Sequence, residues 1–178
     1  PCTQCRGQGQ ENTSRKLSVN VPAGVDDETQ IRLSGEGAPG ELGGPNGNLY
    51  VVLSVKPHAF LRRRQTDIII ELEINISQAT LGAEVMAPTI DGEEELRIPP
   101  GTQPGDMFRL RGRGVPHVRG GSRGDQIVIA GVAVPTEMTA EQRRLLSELG
   151  ETFENGAKPR EHRHKKGFFE QMREVFGL

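Results

Sequence analysis

The sequence predicts a mainly β protein: two β-rich units in series, followed by a helical segment. Three observations carry this. The first is an internal repeat. Residues 21–37 read VPAGVDDETQIRLSGEG and residues 98–114 read IPPGTQPGDMFRLRGRG. They align without a gap, with Gly24 on Gly101, Arg32 on Arg109, Leu33 on Leu110, Gly35 on Gly112 and Gly37 on Gly114, a constant offset of 77 residues. The register continues downstream, where Gly43-Gly44 falls on Gly120-Gly121 and GNLYVVLSV (47–55) on GDQIVIAGV (124–132). The second observation is alternation of apolar and polar residues through both copies, the period of a half-buried strand. The third is a change to the helical period near residue 139.

Each element follows in order. Lys16 to Val21 alternates, with Leu17, Val19 and Val21 on one face, and predicts a strand that Pro22-Ala23-Gly24 breaks. Gln30 to Ser34 is a short strand, Gly35 to Asn48 a Gly/Pro-rich loop, and Leu49 to Val55 a β-branched strand ended by Pro57. Asp67 to Ile76 alternates through Ile68, Ile70, Leu72, Ile74 and Ile76, a strong strand signal. Ser77 to Leu81 is a turn or a single helical turn ending at Gly82. Glu84 to Ala87 and Glu94 to Ile98 pair as a hairpin around Asp91-Gly92. The second copy of the repeat then runs from Pro99 to Val134. Thr139 to Gln142 (TAEQ) is a capping box, in which the Thr hydroxyl and Gln side chain satisfy free backbone N–H groups. Leu145, Leu146, Leu149 and Phe153 follow on one helical stripe. A basic linker, 155–167, leads to a second stripe of Phe168, Phe169, Met172, Val175 and Phe176.

Bulk properties narrow the function classes. The 178 residues carry a formal net charge of −2, which gives no pull toward nucleic acid or membrane. No apolar run approaches the ~18 residues that span a bilayer, and no signal-peptide pattern opens the chain, so the reading is soluble and cytoplasmic. With 34% hydrophobic residues, 23 Gly, 12 Pro and no Trp, each core is expected to be thin.

The repeat also bears on what surrounds the chain. The second copy has a strand at 67–76 and a hairpin arm at 84–87 before its shared core. Shifted by 77, these fall before residue 11, where only PCTQCRGQG stands. The expectation is that the first unit's opening strand lies upstream of residue 1. Cys2-x-x-Cys5 has the spacing of half a tetrahedral zinc site, and Gly7 and Gly9 let backbone N–H groups turn toward thiolates. The chain has two Cys, and its four His stand at unrelated spacings, so a bare dithiol is the alternative. A redox Cys-x-x-Cys belongs at a helix start after a strand, not in a Gly-rich loop.

Cys-x-x-Cys-x-Gly-x-Gly at the start, KLSVNVPAGVDDETQIRLSGEGAPG, GNLYVVLSVKPHAFLRR, LGAEVMAPTIDG, LRIPPGTQPGDMFRLRGRGVPHVRGG and GDQIVIAGVAVPTEMTAEQRRLLSEL occur in order. Together they closely resemble the C-terminal half of the bacterial DnaJ family, co-chaperones of DnaK. The resemblance implies a remnant of the Cys-rich zinc domain at 1–10. It implies a first β-domain at 11–62 (incomplete), a second at 63–136, and a helical dimerisation segment and tail at 137–178. Both β-domains would be substrate-binding β-sandwiches. Cys2 and Cys5 would be a half site whose zinc, in the full-length protein, also needs the first Cys repeat, so zinc would be absent or partial here. No His-Pro-Asp triplet of a J domain occurs in this chain. Asn48 stands where the family usually has Asp, and Gln65-Thr66 where Gly-Asp is common. Neither change is expected to alter function.

A chaperone holding unfolded polypeptide needs apolar surface that accepts many sequences, and strand addition at a sheet edge suits this. By the resemblance the client groove lies on the first β-domain, the second being mainly the spacer that carries the dimer helix, and the candidates are Leu17, Val19 and Phe60. Leu17 and Val19 would otherwise be core. Phe60 is a loop aromatic beside Arg62, Arg63 and Arg64, a run that reads as a solvated face. His58 and His117 read as turn residues, and Asp26, Asp27 and Glu28 as solvating a turn. Leu145, Leu146, Leu149 and Phe153 are the candidate homodimer contact, against docking on the same chain's β-domain. The function expected is a client-binding, dimerising co-chaperone part that prevents aggregation and delivers clients to DnaK. It is not expected to be an enzyme. The alternatives are a thiol-disulfide oxidoreductase using Cys2 and Cys5, and a basic nucleic-acid-binding β-module using Arg62–Arg64, Arg109, Arg111 and Arg113. The second lacks aromatic residues interleaved on its strands.

Overall fold

The computed structural model describes residues 14–40, 44–118 and 120–153. The chain forms two compact units. One runs to Val55 and takes in His117–Gly120; the other comprises Lys56–Pro116 and the chain from Gly121 on.

In the first unit, β1 (Gln30–Leu33) and β2 (Leu49–Val52) form an antiparallel ribbon, with Gln30 opposite Val52 and Leu33 opposite Leu49. No described residue of this unit is fully buried; Leu17, Val19, Ile31, Leu33, Val51 and Leu53 are half-buried.

The second unit holds β3 (Arg62–Arg64), β4 (Asp67–Asn75), α1 (Ile76–Leu81), β5 (Ala83–Thr89), β6 (Gly92–Ile98), β7 (Met107–Leu110), β8 (Gln126–Ala133) and α2 (Ala140–Glu151). The main sheet has the order β3-β4-β8-β7. β4 and β8 run parallel over eight pairs, from Ile68–Gln126 to Asn75–Ala133, and the other neighbours are antiparallel. β5 and β6 form a separate hairpin. The core is built from both sheets and α1: Ile68, Ile70 and Ile74 of β4, Ala79 of α1, Ala87 of β5, Leu96 and Ile98 of β6, and Val128 of β8. The alternation of β4 turns Glu71, Glu73 and Asn75 to the opposite, exposed side. The architecture is mainly β, and the last element among the described residues is a helix, as the sequence predicts.

The repeat is reproduced bond for bond. Met107 opposes Ile129 and Leu110 opposes Gln126, each pair 77 residues beyond its counterpart in β1 and β2. The Gly37 N–H donates to Gly47 O (3.0 Å), and the Gly114 N–H to Gly124 O (2.8 Å). The Leu53 N–H donates to Thr29 O (2.9 Å), and the Ala130 N–H to Asp106 O (2.8 Å). The Gly35 N–H reaches Asn48 Oδ1 at 3.4 Å and the Gly112 N–H reaches Asp125 Oδ1 at 2.8 Å, so Asn48 fills the acceptor role that Asp125 fills in the second copy. Glycine is required at Gly124, where a Cβ would stand 2.1 Å from Thr66 O.

Several sequence expectations need correction. Lys16–Val21 is not a strand. It is extended and keeps its alternation, but it has no ladder partner among the described residues. The offset explains this, since Lys16–Val21 corresponds to Glu93–Ile98, which β5 holds in a ladder. The positions corresponding to β5 fall at 6–12, outside the described residues. The hairpin turn is Ile90-Asp91, and Gly92 already pairs with Thr89. β1 and β2 are shorter than predicted. The Arg62–Arg64 run is an edge strand, pairing with Asp67–Ile69 through a two-residue turn, Gln65-Thr66. Residues 77–81 are helical from Ile76, capped by Asn75, whose side chain accepts the Gln78 N–H (2.9 Å) while Gln78 Oε1 accepts the Asn75 N–H (2.9 Å). The predicted box at α2 is present: Thr139 Oγ1 accepts the Gln142 N–H (3.2 Å) and Gln142 Oε1 accepts the Thr139 N–H (2.9 Å).

Candidate functional site

The client-contact residues, all expected on the first β-domain, are divided between the two units. Leu17 and Val19, on the extended stretch of the first unit, are half-buried. Phe60 belongs to the second unit and is 52% exposed. It is nonetheless held in place. The bend at Ala59-Phe60 brings the His58 ring edge-on to the Phe60 ring, with centroids 4.6 Å apart and planes at 89°. His58 Nδ1 lies 3.5 Å from the Phe60 N and 3.4 Å from the Leu61 N, accepting from both. An aromatic side chain fixed outward loses little entropy when it is covered, which suits it to binding.

Sequence reasoning missed a further set. In the first unit Val21, Leu49, Tyr50, Val52 and Val55 are all exposed. Their second-copy counterparts are Ile98, Gln126, Ile127, Ile129 and Val132, and the first three are buried. The reason lies in the sheet. β8 is paired on both edges, by β4 and β7, whereas β2 is paired on one edge among the described residues, by β1. The signal was in the repeat, because the partner strand of β8 has no counterpart within residues 11–55.

The basic residues are mostly committed within the fold. Arg62 lies 3.6 Å from Glu71, Arg63 Nε donates to Gln65 O (2.7 Å), Arg109 lies 3.6 Å from Asp125, and Arg113 pairs with Glu94. This leaves little of a free cationic stripe for nucleic acid. Cys2 and Cys5 lie outside the described residues. Among the described residues no three His, Cys, Asp or Glu side chains converge as a metal would need.

On α2 no residue is buried. Leu145 is 51% and Leu149 49% exposed and Leu146 is half-buried, so the helical part of the stripe is an open face; Phe153, 65% exposed, lies beyond the Thr152 cap and is not on the helix as the sequence predicts. Arg144 spans the opposite side, pairing with Glu141 (2.7 Å) and with Glu148. The guanidinium holds the Glu141 carboxyl below its ordinary range, and the two carboxylates raise Arg144. No helix among the described residues is long and apolar enough to cross a membrane.

Comparison with known proteins agrees with the repeat. Residues 4–135 match the family model described as DnaJ C terminal domain. A protein named Chaperone protein DnaJ from Roseiflexus sp. (strain RS-1) is 52% identical over 99% of the chain and 51% of its own length. Proteins of the same name from Brevibacillus choshinensis and Acetivibrio thermocellus are 50% and 40% identical, over 98% and 100% of the chain. The chain spans about half the length of these relatives, which are named as chaperones and not as enzymes. With the family model covering well over half of its residues, the chain belongs to the DnaJ C-terminal domain family.

Proposed function

We propose that this chain is the client-holding and dimerising part of a DnaJ co-chaperone. It binds unfolded polypeptide, keeps it from aggregating, and passes it to DnaK within the longer, cytoplasmic protein. The observation that carries the reading is Phe60, an aromatic ring held outward on an ordered turn, in a molecule whose other unit leaves an apolar ribbon uncovered. Leu17 and Val19 add apolar positions on an extended segment, which presents backbone groups to a client regardless of its sequence.

The domain reading goes with this. The Cys-rich remnant precedes a first β-domain completed by a strand on the open edge of β2, and a second, complete β-domain carries the dimer helix. Zinc belongs to the longer protein, where Cys2 and Cys5 would give two of its four thiolates. Dimerisation through Leu145, Leu146, Leu149 and Phe153 would join two client surfaces, raising avidity through effective concentration.

The test is suppression of aggregation of a chemically unfolded client by the chain and by Phe60→Asp. A charge at the centre of an apolar contact is expected to weaken binding about tenfold, with circular dichroism and sedimentation unchanged. Equal suppression by the variant would remove Phe60 from the client surface.

A further inference from the structure

The outer face of the β5–β6 hairpin is unlike the rest of the second unit. Its inner side chains, Val85, Ala87, Leu96 and Ile98, pack on or into the core. Its outer ones are Glu84, Met86, Glu93, Glu95 and Arg97, all exposed. Cross-strand neighbours are Glu84 with Arg97, Met86 with Glu95, and Pro88 with Glu93. The hairpin carries two more carboxylates, and both are engaged: Asp91 with Arg123 (2.8 Å) and Glu94 with Arg113. The side chains of Glu84, Glu93 and Glu95 make no ion pair or hydrogen bond among the described residues, although their backbones belong to the hairpin ladder. At the open end of the same hairpin, Leu81, Gly82, Ala83, Ile98 and Pro100 line a shallow cavity of about 260 Å³ whose rim is Glu84 and Arg97. Leu81 is 76% exposed there. One sheet face thus presents carboxylates without a side-chain partner among the described residues around an exposed methionine, and a shallow depression beside the exposed Leu81 at one end.

The chain contains a segment with the complementary pattern. Residues 158–166 read KPREHRHKK, with Lys158, Arg160, Arg163, Lys165 and Lys166 against a single acid, Glu161. Gly167, Phe168 and Phe169 follow directly. Nine extended residues span roughly 30 Å, ample for the ~13 Å between the Glu84 and Glu93 rows. The basic segment begins five residues beyond Phe153, the last described residue of the α2 end.

We infer that the outer face of the β5–β6 hairpin docks the chain's own segment Lys158–Phe169. The cations lie over Glu84, Glu93 and Glu95, and Phe168 or Phe169 sits at the Leu81–Pro100 depression. Charge sets the position and the aromatic pair adds burial. The contact is screened by salt, because both partners sit at the surface.

Zero-length carbodiimide cross-linking of the whole chain, mixed from isotopically light and heavy material, tests this. The expected products join Lys158, Lys165 or Lys166 to Glu84, Glu93 or Glu95 within a single chain at about 20 mM salt, and fall at least about fivefold at about 0.5 M. The triple variant Glu84→Gln, Glu93→Gln, Glu95→Gln should lose them. As a control on folding, Glu93→Lys with Glu95→Lys should lose them too, and adding Lys165→Glu with Lys166→Glu should restore cross-linking in the reversed sense. Cross-links found only between light and heavy chains would assign the segment to a second copy and overturn the proposal. Cross-links to other carboxylates, or none, would overturn it equally.

Discussion

At the scale of single residues, two non-glycine residues among the described ones adopt the left-handed backbone region: Glu28 at φ 60° and Gln65 at φ 55°. An L side chain there costs roughly 1–2 kcal/mol, offset in part by the larger entropy that glycine loses on folding. The repeat supplies an internal control, since the counterpart of Glu28 is Gly105, at φ 87°. Gln65 begins a two-residue hairpin turn, where glycine is the usual solution. Gln65→Gly is therefore expected to stabilise the second unit by about 0.5–1 kcal/mol, read as a higher urea midpoint at unchanged slope. A lower midpoint would show that the Gln65 side chain contributes something its backbone geometry hides.

Gln126 is the second residue-scale case. It is completely buried where the first copy has Leu49. Its Nε2 donates to Pro88 O (2.8 Å), tying β8 to β5, while Oε1 has no protein partner. Gln126→Glu places a carboxylate against that carbonyl in a buried site and is expected to cost about 3 kcal/mol or more. Gln126→Leu removes the bond and the unpaired oxygen together, so a far smaller loss is expected. Equal urea midpoints for the two variants would contradict this account of the site.

At the scale of elements, the repeat made most of the second unit legible. β4, the hairpin arms, α2 and its capping box all follow from period and cap chemistry. What the periodicity could not supply was partners. Lys16–Val21 has the pattern of a strand, yet a strand exists only where another completes its ladder. β3 was missed for the converse reason: Arg62–Arg64 has no apolar face and is a strand because β4 pairs with it. The same logic gives a measurable difference between copies. β1–β2 is a two-stranded ribbon without a buried residue, whereas β7–β8 belongs to a four-stranded sheet. Isolated ribbons are marginal in water. Backbone amides of Gln30–Leu33 and Leu49–Val52 should exchange at least about tenfold faster than those of Met107–Leu110 and Gln126–Ile129. Matching protection in the two sets would mean that the first unit is closed without a further strand. α2 adds a pH effect. Glu141 is lowered in the folded helix, so its contribution is present above the unfolded carboxylate range and is lost as pH falls through the lowered value. A modest loss of helical ellipticity on acidification should therefore be absent in Arg144→Ala.

At the scale of the molecule, the account joins a client surface to a dimer. The sequence located candidates for both. Phe60 and the α2 stripe are exposed as a binding role requires, while Leu17 and Val19 are only half-buried. The exposed ribbon residues Tyr50 and Val52 were invisible to periodicity, because exposure depends on which strands lie beside them and not on their own pattern. Leu145→Glu with Leu149→Glu should turn a sedimenting dimer into a monomer without changing the β signal. A wild-type chain that already sediments as a monomer would reject the dimer. Such a monomer would also lose avidity for long clients while keeping its affinity for short ones.

The most direct test of the central claim is to map a bound client. Nuclear magnetic resonance of the labelled chain, titrated with a permanently unfolded polypeptide, reads every amide at once. The account predicts saturable shifts centred on Leu17, Val19 and His58–Leu61, with the buried core of β4 and β8 unmoved. Saturable shifts confined to other surfaces, or no shifts at concentrations that suppress aggregation, would contradict it.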